Sequence, residues 1–286
     1  MNHGGKIATI GTFDGVHLGH RALIGRLVEL AGGDRPLAIS FRVSPGAILG
    51  GGGVQMLSTL SRRRRDIEAL GADVMFVDFE DVRQYDAATF LNFLKGQSVG
   101  TLVMGFNNHI GRDRLDARGA GALGIMPVYD AGTFADNGTI CSSTIRRALA
   151  DGDVTAAAAM LGRPYTIEGT VVDGKQLGRT LGFRTANLRP ADAAVALPAD
   201  GVYAAWATVG GTTCKAMVNI GVCPSVDKGG ARTIEAHLLD FDADIYGRPM
   251  ELAFVRRVRD ERRFDSVEAL ARQLANDRKT VDNILT

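Results

Sequence analysis

Ile7-Ala8-Thr9-Ile10-Gly11-Thr12-Phe13-Asp14-Gly15-Val16-His17-Leu18-Gly19-His20 is the stretch that decides the first half of the fold. Its first four residues form a short apolar run, the pattern of a buried strand. From about Gly19 the period changes, with Leu23, Ile24, Leu27, Val28 and Ala31 at helical spacing. A strand that passes through glycines into a helix makes a site for an anion. The helix start offers unpaired N–H groups and a partial positive charge, and Gly15 and Gly19 let the backbone approach closely. His17 and His20 are three apart and project to one side. Two imidazoles there can donate to phosphate oxygens as charge builds during displacement at an α-phosphorus. Gly11, Phe13, Asp14 and Gly15 complete the nucleotide-binding loop. The plainer alternative, ordinary structural histidines, suits a lone histidine better than this whole decapeptide placed after a strand.

Working outward, apolar runs alternate with helical patterns. Pro36 to Phe41, Val74 to Val77, Val99 to Met104 and Ile125 to Tyr129 read as strands. Ser58 is placed to cap a helix running through Arg62 to Leu70, and Asp86 to Leu94 is another. Strands alternating with helices imply a parallel sheet covered on both faces, with ligands bound outside the carboxyl ends of its strands. The run Arg62–Arg65 reads as a solvated helix face. A helix from about Ser143 to Gly152 opens with Ser142-Ser143-Thr144-Ile145-Arg146. That pattern is either a plain cap with a surface arginine or a second grip on a triphosphate. A short helix over Asp153 to Leu161 precedes the break Gly162-Arg163-Pro164.

Past this break, which sets domains at 1–160 and 161–286, the pattern becomes β-rich. Tyr165 to Val172, Val202 to Val209, Lys215 to Ile220, Thr233 to Leu239 and Met250 to Val258 are extended runs between Gly, Pro and Asp turns. They predict a small closed or nearly closed barrel. One helix follows, with capping-box spacing at Asp265 and Glu268 and an apolar face of Val267, Leu270, Ala271, Leu274 and Val281. The expected fold class is therefore an α/β parallel-sheet, Rossmann-like nucleotidyltransferase domain followed by a small β-barrel with a C-terminal helix.

The barrel half carries a second phosphate-type loop, Gly178-Arg179-Thr180-Leu181-Gly182-Phe183. It lacks the lysine of a Walker motif. Thr185 and Asn187, two apart on an extended chain, point to one side and offer hard oxygens to a nucleotide-bound Mg²⁺. Glu235, in Thr233-Ile234-Glu235-Ala236-His237, is either an ordinary outward-facing strand residue or the base that takes a substrate hydroxyl proton. His237 is read as structural.

The bulk numbers agree with a globular enzyme. The 286 residues are 45% hydrophobic and 23% charged, with net charge +1, which gives no ground for non-specific nucleic-acid binding. No apolar run approaches the roughly 18 residues of a membrane span. Cys141, Cys214 and Cys223 form no metal-ligand or disulfide framework, as expected in a reducing cytoplasm. The expected partners are small molecules, with no nucleic acid and no membrane, and nothing in the sequence sets an oligomeric state.

Together the two halves resemble the bifunctional bacterial riboflavin kinase/FAD synthetase family. The resemblance rests on Gly11 to His20, on Ser142 to Arg146 and on Leu161 to Tyr165 in the first part. In the second it rests on Gly178 to Asn187, Leu197-Pro198, Gly201 to Tyr203, Asn219 to Gly221, Glu235 to Phe241 and Tyr246-Gly247. It implies that ATP phosphorylates riboflavin to FMN, with Thr185 and Asn187 holding Mg-ATP, Gly178, Arg179, Thr180 and Gly182 around the phosphates, and Glu235 as base. It also implies that FMN attacks a second ATP to give FAD and pyrophosphate, with His17, His20, Asn107, Ser142, Ser143, Thr144 and Arg146 around the phosphates.

Three places depart from the family pattern. Arg42-Val43-Ser44-Pro45 stands where an acidic-Pro-His-Pro stretch is usual, and Gly105 to Gly111 lacks the usual aromatics. Arg184 replaces a proline before Thr185. Two of the three fall in the first module, so the sequence predicts an intact kinase beside an adenylyltransferase that is weakened, changed in flavin preference or absent. The rival readings are a riboflavin kinase carrying a degenerate or acceptor-altered first domain, and a non-catalytic flavin binder. The binder would need no base.

Overall fold

The computed structural model describes residues 5–33, 35–51, 53, 55–105, 108–132, 140–173, 183–222 and 232–286. Contacts divide the chain into two units, Met1–Ser142 and Ser143–Thr286.

The first unit contains β1 (Lys6–Gly11), α1 (Leu18–Leu30), β2 (Leu37–Phe41), α2 (Pro45–Leu49), α3 (Leu60–Glu68), β3 (Asp73–Val77), α4 (Phe79–Val82), α5 (Ala87–Gly96), β4 (Val99–Met104), α6 (Ala117–Ala122) and β5 (Val128–Asp130). The strands form one parallel sheet in the order β3-β2-β1-β4-β5. The order reverses at the β1–β4 pair, so the loops leaving those strands flank the ligand crevice of such a sheet. The core lies on both sheet faces. Leu23, Ile24, Leu27 and Ile67 cover one side of it, and Phe90, Leu91 and Leu94 pack in the other cluster.

Three local expectations are corrected. Thr59, and not Ser58, caps α3 by accepting from the Arg62 N–H at 3.1 Å. Ser58 is instead engaged by the β1 loop. Arg62–Arg65 is not a uniformly solvated face, because the Arg63 side chain is fully buried. The last strand is shorter than Ile125 to Tyr129 and begins only at Val128.

The second unit starts with α7 (Ser142–Ala150, whose first residue closes the first unit) and α8 (Val154–Leu161), capped by Asp153. The barrel follows: β6 (Tyr165–Val172), β7 (Ala186–Pro190), β8 (Gly201–Val209), β9 (Thr212–Val222), β10 (Arg232–Leu238) and β11 (Pro249–Arg259). These close in the order β10-β7-β6-β11-β8-β9, every neighbouring pair antiparallel. β7 is the strand that the sequence pattern missed. Its five residues alternate, with Ala186 and Leu188 inward, but the run is short, starts directly after the phosphate-type loop and ends in Pro190, yet without it the barrel would not close.

Inward positions are apolar, as in β10, where Ile234, Ala236 and Leu238 alternate with Glu235 and His237. The terminal helix α9 (Val267–Ile284) covers part of the barrel's outer face, with Val281 and Leu285 against Val202, Ala204 and Met217. Its cap is Ser266, accepting from the Ala269 N–H at 3.1 Å, and not Asp265. Val267 is 60% exposed and does not belong to the apolar face.

Candidate active sites

In the first unit the chain leaves β1 through a strained turn. Phe13, Gly15 and Val16 all have positive φ, at 52°, 76° and 42°. Gly15 takes this region without cost, whereas Phe13 and the β-branched Val16 need the surrounding structure to hold them there. Four polar side chains do so. The Ser40 hydroxyl donates to the Thr12 carbonyl at 2.8 Å. The Ser58 hydroxyl accepts from the Gly15 N–H at 3.2 Å. The Asp14 carboxylate accepts from the Leu57 and Ser58 N–H groups at 2.8 and 3.3 Å. The Ser142 hydroxyl donates to the Asp14 carbonyl at 3.1 Å. Asp14 is 2% exposed, so its carboxylate is turned inward to fix the loop.

His17 is the N-cap of α1. Its Nδ1 accepts from the His20 N–H at 3.4 Å, which leaves Nε2 as the donor of the neutral ring. The two imidazoles stack with centroids 3.6 Å apart and planes 21° apart, and Phe13 meets His20 edge-on. Burial holds the His20 pKa well below the ordinary imidazole value, helped by His17 and by Arg63. Burial thus favours the neutral ring of His20, whose Nδ1 is buried without a hydrogen-bond partner. Gly19 has to be small, because a Cβ there would lie 3.3 Å from the His17 ring. Gly11 likewise faces the Phe13 ring, at 3.1 Å.

Beside this loop a cavity of about 580 Å³ opens at the carboxyl ends of the strands. Gly11 and Thr12 form part of its wall, with Phe41, Phe79 and Ile110 giving an apolar lining. Arg83, Arg112 and Arg114 add charge. Its volume and mixed lining suit a flat aromatic ligand with polar edges. None of the three arginines stood out in the sequence, since exposed arginines carry no pattern of their own.

The two departing loops have local explanations. Ser44 caps α2, accepting from the Ala47 N–H at 3.1 Å, with Pro45 in the first turn. Asn108 donates from Nδ2 to the Ile10 carbonyl at 2.7 Å and so ties the loop after β4 to the end of β1. Asn107 lies outside the described residues. Ser143, Thr144 and Arg146 lie in the first turn and a half of α7.

In the second unit, strand register gathers the candidate residues. Glu235 in β10 is directly opposite Asn187 in β7 and, on its other side, Asn219 in β9. All three are on the outward face, partly exposed. Thr185 immediately precedes β7 and is also partly exposed. Gly178, Arg179, Thr180 and Gly182 lie outside the described residues. Asn219 appeared in the sequence only within a matching stretch, with no role. Its position follows from pairing, which a single sequence does not display.

His237 is buried, and its Nδ1 is 2.8 Å from the Arg184 carbonyl. Its ring packs edge-on against Phe183. It thus secures the segment that leads into Thr185, as a structural histidine would. Arg184 forms an ion pair with Asp242, a second tether for that segment in place of a proline's rigidity.

Thr185 and Asn187 supply neutral oxygens, the donor class that magnesium accepts when water and phosphate complete its shell. No group of three or more His, Cys, Asp or Glu side chains suited to a metal occurs among the described residues.

A switch-point crevice with paired histidines in one unit, and a carboxylate ringed by oxygen and amide donors on a barrel in the other, define a two-site nucleotide-dependent transferase. Comparison with known proteins makes this specific. Residues 1–144 match the FAD synthetase family model and residues 161–285 the riboflavin kinase model. The chain is 33% identical to a bifunctional riboflavin kinase/FMN adenylyltransferase of Listeria monocytogenes, over 95% of this chain and 90% of that one. It is 36% identical to the proteins of that name from Pseudomonas fluorescens and Escherichia coli K12, covering 94% and 96% of this chain and 89% and 91% of theirs. A crystal structure from Streptococcus pneumoniae, described as a macrolide-efflux protein, superposes with a TM-score of 0.90 at 29% identity, over 99% of this chain and 95% of that one. The chain belongs to the bifunctional riboflavin kinase/FAD synthetase family.

Proposed function

We propose that this chain phosphorylates riboflavin to FMN in its second unit and adenylylates FMN to FAD in its first. The observation that carries the reading is that each unit presents a candidate site of its own: the stacked His17–His20 pair at the β1 switch point, and Glu235 between Asn187 and Asn219 on the barrel. A lone riboflavin kinase with a degenerate first domain accounts less well for a first unit that matches the FAD synthetase model over its whole length.

In the kinase step Glu235 takes the proton of the ribityl 5′-hydroxyl as that oxygen attacks the γ-phosphorus of ATP, and ADP leaves. Thr185 and Asn187 would hold the nucleotide's magnesium, which would neutralise phosphate charge when bound. The segment 178–182 serves the phosphates.

In the adenylyl step an FMN phosphate oxygen attacks the α-phosphorus of a second ATP. The bond from the α-phosphorus to the bridging oxygen breaks and pyrophosphate leaves. A phosphate nucleophile is already ionised, so no base is needed, and catalysis rests on position and charge. The N-terminus of α1, His17 and His20 serve the phosphates in this reading, and Asn107, Ser143, Thr144 and Arg146 are assigned the same role from their sequence motifs alone. The 580 Å³ cavity takes the flavin ring. The functional division falls at residues 1–160 and 161–286. Three sparse, widely spaced cysteines fit a cytoplasmic setting. No helix among the described residues is long and apolar enough to cross a membrane.

The test is a time course with riboflavin, ATP and Mg²⁺, separating riboflavin, FMN and FAD. The expected result is FMN followed by FAD. FMN that accumulates without FAD, even when added directly, overturns the adenylyltransferase half.

A further inference from the structure

Position 63 lies on the inward face of α3, one turn before Ile67, which is fully buried in the core under β1. An apolar residue is the expected occupant. Instead the Arg63 side chain is entirely out of solvent. One nitrogen, Nη1, donates to the Phe41 carbonyl at 2.7 Å and to the Ser40 hydroxyl at 3.2 Å. Nη2 lies 3.7 Å from Asp14 Oδ1, near enough for an ion pair and too far for a hydrogen bond. Nε and Nη2 have no hydrogen-bond partner. A buried guanidinium left partly unsatisfied is expensive, and such a group in a native fold calls for an explanation.

Its partners supply one. Ser40 is the side chain that holds the Thr12 carbonyl, and Asp14 is the one that holds the Leu57 and Ser58 N–H groups. Ser58 in turn accepts from Gly15. These tethers of the strained 12–16 turn, through Ser40, Asp14 and Ser58, therefore lead back to Arg63. The guanidinium has no solvent exposure, so it acts through these groups and through its charge, which is weakly screened in a dry interior.

We propose that Arg63 is a positioning residue for adenylyl transfer, holding Asp14 and Ser40 from beneath the β1 loop so that the backbone presents His17 and His20 to the α-phosphate. The inference rests on the adenylyltransferase reading of the first unit. Arginine suits the role because its fork reaches Ser40, Phe41 and Asp14 at once, while lysine keeps only the charge.

The experiment uses the full chain with Arg63→Met, Arg63→Lys and the double variant Asp14→Asn/Arg63→Met, which removes both buried charges together. FMN formation by the same preparations reports the second unit. Folded first unit is counted as the binding of a non-hydrolysable ATP analogue beyond the one equivalent taken by the second unit, whose folding FMN formation reports. For Arg63→Met the expected kcat for FAD formation, per folded site, falls roughly a hundredfold with the KM for ATP within about threefold, the pattern of a loss felt in the transition state. Arg63→Lys regains roughly tenfold, and the double variant is no slower than Arg63→Met, because the two residues act as one unit. FMN formation stays within about twofold of the parent.

Arg63→Met that makes FAD at the parent rate overturns the proposal. So does a loss that disappears once folded sites are counted, since that marks a purely structural arginine. A double variant in which the two losses multiply overturns the route through Asp14. A parent chain that makes no FAD fails the adenylyltransferase reading itself, and this inference with it.

Discussion

Glu235 stands directly across the antiparallel ladder from Asn187, although 47 residues separate them in the chain. The pairing puts a carboxylate beside an amide on one outward face of the barrel, with Asn219 on the carboxylate's other side. The proposed proton acceptor and the proposed nucleotide-holding group are thus fixed by backbone hydrogen bonds, and not by loops.

Glu235→Gln keeps shape and hydrogen bonding and removes the base. FMN formation is expected to fall by about 10²–10⁴-fold, while FAD formation from added FMN continues. Retained FMN turnover would remove Glu235 from the role. The fold is checked by unchanged thermal unfolding.

Thr185→Ala and Asn187→Ala each remove one oxygen proposed to hold magnesium. The Mg²⁺ concentration giving half-maximal FMN formation is expected to rise roughly tenfold, the equivalent of about 1.4 kcal/mol. A magnesium titration of the kinase rate at fixed ATP is the measurement. An unchanged midpoint in both variants assigns the metal elsewhere.

His20→Ala is expected to lower FAD formation by about 10²-fold or more and to leave FMN formation unaffected. Chromatography of both products from one reaction reads the two rates together. A parallel fall in both would show that the two sites are not separate.

The depressed His20 pKa also makes a stability prediction. As pH falls below the ordinary imidazole value of 6.5, the unfolded chain takes up a proton before the folded chain does. Stability present above pH 6.5 is therefore lost toward the lower folded value, by at most about 1.4 kcal/mol per pH unit for this histidine. His237, also depressed through burial, adds a loss of the same sign in the second unit. Urea unfolding at pH 5 and pH 8 is expected to show a smaller pH difference in His20→Gln than in the parent, and an equal difference would refute the assignment.

Ser58 and Thr59 are neighbours with different duties, and single substitutions separate them. Thr59→Ala removes the α3 cap and is expected to cost about 1 kcal/mol. Ser58→Ala removes the hydroxyl that accepts from the buried Gly15 N–H, at a cost of about 1–3 kcal/mol, and slows FAD formation as well. Denaturant melts combined with FAD assays distinguish the two, and equal FAD rates would argue against Ser58 as a loop tether.

Much of the fold was legible because long periodic segments carry their own signal. The β1 loop and α1, the alternation of β10 and the boundaries of β6 all follow from spacing. What stayed hidden depends on pairing and depth. β7 is short and ends in proline, so its brief alternation is easily read as part of the loop before it. The four arginines from 62 to 65 look alike in sequence, and only the direction of the helix face decides that Arg63 goes inward. Ser58 and Thr59 are both good caps, and the choice between them depends on the Gly15 N–H, more than forty residues away in the chain. Asn219 becomes notable only when β9 lies against β10. The His17–His20 pair and Glu235 were legible by type, but their stacking and flanking asparagines were not.

The closed ladder of the second unit also constrains how this chain can diverge. Side chains on a strand alternate between faces, so adding or deleting one residue within β7 would swing Asn187 into the barrel interior and bring a core residue out beside Glu235. The same change in a segment between strands leaves every pairing intact. Descendants of this sequence should therefore vary in length between the strands and hold their count within β7, β9 and β10. A chain that breaks this rule should have lost its kinase while its first unit continues to evolve on its own.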